Sequence, residues 1–272
     1  MLLAGLTPLT IGLLIAILAA SALMSGLSGF GFSAVGALCL ILLPPKLGVP
    51  LLMTLSAANQ LMSLRQLKAD MKPMRQWWPD GPAPYLLGGL IGVPIGLAIL
   101  SSLPTAKLML VFGGFLVAYA AYSLLRPHPG HAVVKGNWLA SSLVGMSGGV
   151  IGGFTAFPGA AVVVWSGLRH LPKTESRAIV QPYILILQIL SIALLAIHSP
   201  QTFGKTYWWL VAITVPIVLP CTLMGVRLYR SLSDVNFRRV TFILLGVSGV
   251  GLLIKAAGTL PFMHHATKVA GL

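Results

Sequence analysis

The chain has 272 residues, of which 57% are hydrophobic and only 8% charged. A soluble domain carries roughly 25% charged residues, so an ordinary water-facing surface is excluded, and with it secreted disulfide scaffolds, disordered chains and most soluble enzymes. The net charge of +14 does not point to nucleic acid, because the basic residues lie in short segments between apolar runs rather than on one face.

A bilayer core of about 30 Å takes roughly 20 apolar residues per crossing helix. No charge precedes Lys46, and the first predicted span is 8–27. A glycine-rich segment, Gly26 to Ser33, leads into a short span at 31–44, and span three is 48–66. Spans four and five are 83–102 and 106–125, and span six is 138–156. A second glycine-rich segment, Gly148 to Gly159, precedes another short span at 159–169, followed by spans at 176–197, 206–226 and 237–257. These fill the chain, so residues 1–272 read as one transmembrane domain with no separate soluble part.

Basic residues cluster after odd spans: Arg65, Lys68, Lys72 and Arg75; Arg126 and Lys135; Arg169, Lys173 and Arg177; Arg227, Arg230, Arg238 and Arg239. The alternate loops carry Lys46, Lys107 and Lys205 singly. Ten crossings put every basic cluster on one side, the cytoplasm by the positive-inside rule, with both termini outside. If the two short segments are re-entrant the count falls to eight and that agreement is lost. Trp77, Trp78, Trp208 and Trp209 fall at the expected interfaces, where indoles sit well.

Comparing the chain with itself gives an internal repeat. A shift of 123 lays Gly26, Gly29 and Gly36 on Gly149, Gly152 and Gly159; a shift of 129 lays Gly96 on Gly225; a shift of 131 lays Trp77-Trp78 on Trp208-Trp209. The fold class is therefore an all-α polytopic membrane protein of about ten helices. They form two five-helix repeats, about 8–125 and 138–257, each with a glycine-broken short helix. An odd number of spans per repeat inverts the second repeat, a plan common among transporters that bind substrate near the midplane between broken helices.

The candidate substrate site follows from that plan. At a break, backbone N–H groups open toward a cavity and the next helix adds its positive end, which suits an oxyanion without a midplane lysine or arginine. Break one supplies Ser28, Gly29, Phe30, Gly31, Phe32 and Ser33; break two supplies Gly152, Gly153, Phe154 and Thr155, with Phe157 beyond. The hydroxyls are donors and the rings are walls or gates. Asn59 and Gln60 in span three, with Gln181, Tyr183 and Gln188 in span eight, add neutral polar groups. The structural alternatives are close helix packing for the glycines and interhelical bonding for the amides. Asp70, Asp80, Glu175 and Asp234 map to loops or helix ends. This disfavours a carboxylate proton relay or sodium site, and Glu175 and Arg177 read as serving a helix start. Cys39 and Cys221 lie in apolar runs, and no histidine pair has metal-ligand spacing within a span, so no metal, cofactor or catalytic constellation is expected.

The glycine-rich break opening a short apolar span, repeated in the second half and followed by the Arg177-Ala178 helix start, resembles the TauE/SafE-type sulfite exporters, also called toluene sulfonate uptake permeases. The resemblance runs from about residue 8 to 257. It implies a multi-pass protein of the bacterial inner membrane that moves sulfite, organosulfonates or similar small anions and is not an enzyme. Its partners would be the anion and the bilayer, without nucleic acid; the oligomeric state stays open. Without an intramembrane acid, export or facilitated diffusion by alternating access fits better than coupled uptake. Another small anion or metabolite, or an anion-conducting pore, is the alternative.

Overall fold

The computed structural model describes residues 7–66, 77–125, 137–229 and 234–259, and among these every regular element is helical. Helix α1 spans Pro8–Ser28. Thr7 caps its start, accepting from the Thr10 amide at 3.2 Å, with Pro8 at the first position, where a missing N–H costs nothing. It ends at Gly29, which turns left-handed with φ +81°. The expected short span is two pieces, α2 (Phe32–Gly36) and α3 (Cys39–Leu42). Between them the bonding tightens: Leu38, Leu40 and Ile41 donate to the carbonyls of Val35, Ala37 and Leu38, three residues back rather than four.

Helix α4 covers Pro45–Gln66, α5 Ala83–Ser102 and α6 Thr105–Leu125. Helix α7, Trp138–Thr155, starts on Asn137, whose side chain accepts from the Ala140 amide at 2.7 Å. Helix α8 is Gly159–Leu168, α9 Lys173–His198, α10 Lys205–Tyr229 and α11 Asp234–Thr259, with a 3-10 turn at Pro200–Phe203 before α10. Among the described residues, six helices are long and apolar enough by themselves to cross a membrane: α1, α4, α5, α6, α9 and α10. The segments Phe32–Leu42, Gly159–Leu168 and Gly249–Gly258 are shorter apolar helices. Together these features make the chain a multi-pass membrane protein.

The helices pack across the midpoint of the chain. Helix α1 lies on α10, α5 on α7 and α6 on α11; α4 lies against α9 and α10, and α5 also meets α9. Glycines bring these axes close, as small residues do where both partners are apolar. A Cβ on Gly153 would lie 2.7 Å from the Gly96 Cα, and one on Gly26 would lie 2.9 Å from the Gly225 Cα. Gly113 and Gly249 meet in the same way between α6 and α11. Exposed Leu87, Ile91 and Ile95 on α5, and Val247, Val250 and Ile254 on α11, form the outer apolar faces expected against lipid.

The basic residues Lys68, Lys72, Arg75, Arg126, Lys135 and Arg230 lie outside the described residues, as do Asp70, His128, His131, His264 and His265. Lys255, in the last expected span, reaches back to the end of α3 and donates to the carbonyls of Leu40 and Ile41. It thereby satisfies two carbonyls that the end of a short helix leaves open.

Candidate functional site

Both breaks are built by one local device. At break one, the Ser28 hydroxyl folds back to donate to the Met24 carbonyl at 2.9 Å, and its oxygen accepts from the amides of Phe30 at 3.3 Å and Gly31 at 2.9 Å. At break two, the Thr155 hydroxyl donates to the Ile151 carbonyl at 2.6 Å and accepts from the Phe157 amide at 3.1 Å. The following residue is left-handed in each, Gly29 at φ +81° and Ala156 at φ 59°. The Gly29 amide donates to Ser25 and the Ala156 amide to Gly152. The carbonyls of both residues receive a buried amide: Gln60 Nε2 reaches Gly29 at 2.9 Å and Gln188 Nε2 reaches Ala156 at 2.8 Å.

This matching corrects the sequence alignment. Gly29 corresponds to Ala156, not to Gly152, and Gln60 corresponds to Gln188. The shift is four residues, about one helical turn, which leaves glycines on the same helix face and so misleads a comparison based on glycine spacing. A second expectation also changes, because the amides of Gly29, Phe30, Gly31, Ala156 and Phe157 are already bonded within the protein. Any anion contact at these positions therefore falls to side chains.

The remaining predicted residues divide into three groups. Ser33, at the start of α2, joins the breaks directly, since its hydroxyl donates to the Ala156 carbonyl. Gln181 is fully buried beside Gly29, its Nε2 3.0 Å from where a Gly29 Cβ would stand. Both of its amide atoms are buried without a hydrogen-bond partner among the described residues, as are Oε1 of Gln60 and Oε1 of Gln188. Gly152 and Gly153 serve packing instead: a Cβ on Gly152 would strike Pro158, and one on Gly153 would strike α5. Tyr183 is used on α7, its hydroxyl donating to the Gly145 carbonyl at 2.6 Å and standing 2.5 Å from where a Gly148 Cβ would lie. Phe32, Phe154 and Phe157 are buried in the core and Phe30 is partly buried against it; Phe157 meets Tyr119 edge-on at 6.0 Å.

Asn59 is part of a buried crosslink among three helices. Its Nδ2 donates to Ser25 Oγ at 2.6 Å, and its Oδ1 accepts from the Thr222 hydroxyl. Interhelical polar bonds in membranes average about 0.6 kcal/mol and reach about 1.7. Removing the amide takes this partner from Ser25, while the Thr222 hydroxyl can still donate to the Val218 carbonyl at 2.8 Å, so Asn59→Leu is expected to cost between those two values. We expect its thermal midpoint in detergent to fall by roughly 2–4 °C per kcal/mol lost; an unchanged midpoint would show that the crosslink contributes nothing.

The sequence reading missed Arg177. It expected a site free of cations and gave this residue only the service of a helix start. Instead Arg177 is only 8% exposed, and its Nη2 donates to the carbonyls of Gly26 at 2.9 Å and Leu27 at 3.1 Å. Helix α1 ends there with open carbonyls and the negative end of its dipole, which a guanidinium satisfies. Its Nε stands 2.7 Å from the position of a Gly29 Cβ. The available signal was the spacing of Arg177 and Gln181, four residues apart and hence on one face of α9.

The family model described as Sulfite exporter TauE/SafE matches residues 13–252, nearly the whole chain, and the protein belongs to that family. No curated protein and no solved structure matches it.

Proposed function

We propose that this member of a family of membrane transporters carries a small sulfur-containing anion, sulfite or an organosulfonate, across the bacterial inner membrane by alternating access. The observation that carries the reading is the pair of like-built breaks, joined at their centre by the Ser33 bond to Ala156 and flanked by buried amides with unsatisfied atoms. Transporters built from inverted repeats bind substrate between broken helices, and the two breaks support that reading here. The proposed architecture is ten helices in two inverted five-helix halves. Its support is the reciprocal packing, α1 on α10 and α7 on α5, together with the mirrored pairs α4 with α9 and α6 with α11.

The direction follows from electrostatics. A membrane potential contributes about 2.3 kcal/mol per charge per 100 mV, which drives an anion out of a cell that is negative inside. Export or facilitated diffusion then needs no coupling ion. In proteoliposomes we expect saturable sulfite flux that follows an imposed potential and persists without proton or sodium gradients. Flux that requires either gradient overturns the uncoupled mechanism, and flux that never saturates favours a pore.

A further inference from the structure

We propose that break one alone seats the anion, and that the seat is the pair Arg177 and Gln181, presented by the second half of the chain to Gly29 of the first. The inference rests on the transport reading above and assigns its binding residues. The two side chains lie one turn apart on α9, and both close on the same glycine, with Nε of Arg177 at 2.7 Å and Nε2 of Gln181 at 3.0 Å from the position of its missing Cβ. Gly29 is therefore where the backbone yields space to a cation and an amide together.

Gln181 is the independent sign of a ligand. Neither end of its fully buried amide has a partner among the described residues, and burial in that state opposes folding. An anion oxygen resting on Nε2 removes half of that penalty. Arg177 brings the charge, and its bonds to the Gly26 and Leu27 carbonyls fix the plane of its guanidinium. A planar fork held in this way suits an oxyanion better than a lysine would.

Break two has no such pair. In the matching that sets Gln60 of α4 on Gln188 of α9, the α4 counterparts of Arg177 and Gln181 are Val49 and Met53, both apolar and fully buried. The two breaks thus share a backbone device, but among the described residues only break one carries such a cation. A single guanidinium, already sharing its field with two carbonyls, matches one negative charge. Singly charged oxyanions such as hydrogensulfite and alkanesulfonates fit this seat, and sulfate does not.

The test is sulfite flux in proteoliposomes with wild-type protein, Gln181→Leu, Arg177→Lys and Arg177→Gln, with methanesulfonate and sulfate as competitors. Gln181→Leu is expected to raise the half-saturating sulfite concentration about tenfold, the value of one good polar contact, while leaving the thermal midpoint unchanged or higher. Arg177→Lys should keep flux at weaker half-saturation and Arg177→Gln should lose it. Because either change can disturb the end of α1, Gln181→Leu is the deciding variant. Methanesulfonate should inhibit sulfite flux and sulfate should not. Saturable wild-type flux with an unaltered half-saturation in Gln181→Leu overturns the seat but leaves the transport reading standing. Equal inhibition by sulfate overturns the single-charge assignment. Absence of saturable wild-type flux of either sulfite or methanesulfonate removes the transport reading and the seat with it.

Discussion

Gly29→Ala is expected to cut sulfite flux by at least about tenfold, because two separate costs fall on one methyl group. The left-handed backbone at φ +81° costs a side-chain-bearing residue about 1–2 kcal/mol. The new Cβ would also stand 2.7 Å from Arg177 Nε and 3.0 Å from Gln181 Nε2, so both side chains must retreat from the break. The first cost acts on stability and the second on transport. The protein should therefore remain monodisperse in detergent, with a modestly lower thermal midpoint, while flux falls much further. Ala156→Gly is the contrasting change: it relieves a left-handed alanine at the equivalent point and should be tolerated. Flux above half of wild type in Gly29→Ala would show that the closeness of Gly29 to these groups is unimportant.

Gly153→Val is expected to have the largest effect on folding. Its Cβ would meet Gly96 Cα at 2.7 Å and Leu97 N at 2.8 Å, backbone atoms that no rotamer change can move. Overpacking against adaptable side chains costs about 1–3 kcal/mol, so against a helix axis the upper end is the appropriate estimate. For a chain of this size that corresponds to a fall in midpoint of roughly 6–12 °C, with a larger aggregated fraction on size exclusion. Gly114→Val is the control, since nothing lies within 4 Å of its would-be Cβ. Similar behaviour of the two variants would mean that the α5–α7 contact is not held by close approach.

The helices were legible because charge interrupts them. The predicted span 83–102 coincides with α5, and the spans 8–27 and 206–226 fall within α1 and α10. The division of 31–44 into α2 and α3 was not legible, because it is a change of bonding partner from the fourth to the third residue back, within a uniformly apolar run. The breaks themselves could be read from glycine, but their register could not. The true correspondence of Gly29 with Ala156 replaces glycine by alanine, and periodicity cannot resolve a displacement of one turn. Arg177 was hidden by distance along the chain. Its partners Gly26 and Leu27 lie 151 and 150 residues away, and beside Arg169 and Lys173 it looks like one more anchor in a basic loop. Gly152 and Gly153 show the converse: spacing suggested ligand contact, where close helix approach explains them.

The carbonyl of Ala156 accepts from both Ser33 and Gln188. Gln188 belongs to the same half of the chain as Ala156, and Ser33 to the other. A rearrangement that separates the breaks can release the Ser33 donor while Gln188 keeps the oxygen satisfied, so no buried acceptor is stranded. The contribution of this bond is then one ordinary hydrogen bond, about 1 kcal/mol, which by itself changes the ratio of the two arrangements about fivefold. This one bond between the halves is in that respect a shallow detent, and the firmer hold between them lies in the packing of α1 on α10 and α5 on α7 and in the Arg177 bonds to Gly26 and Leu27.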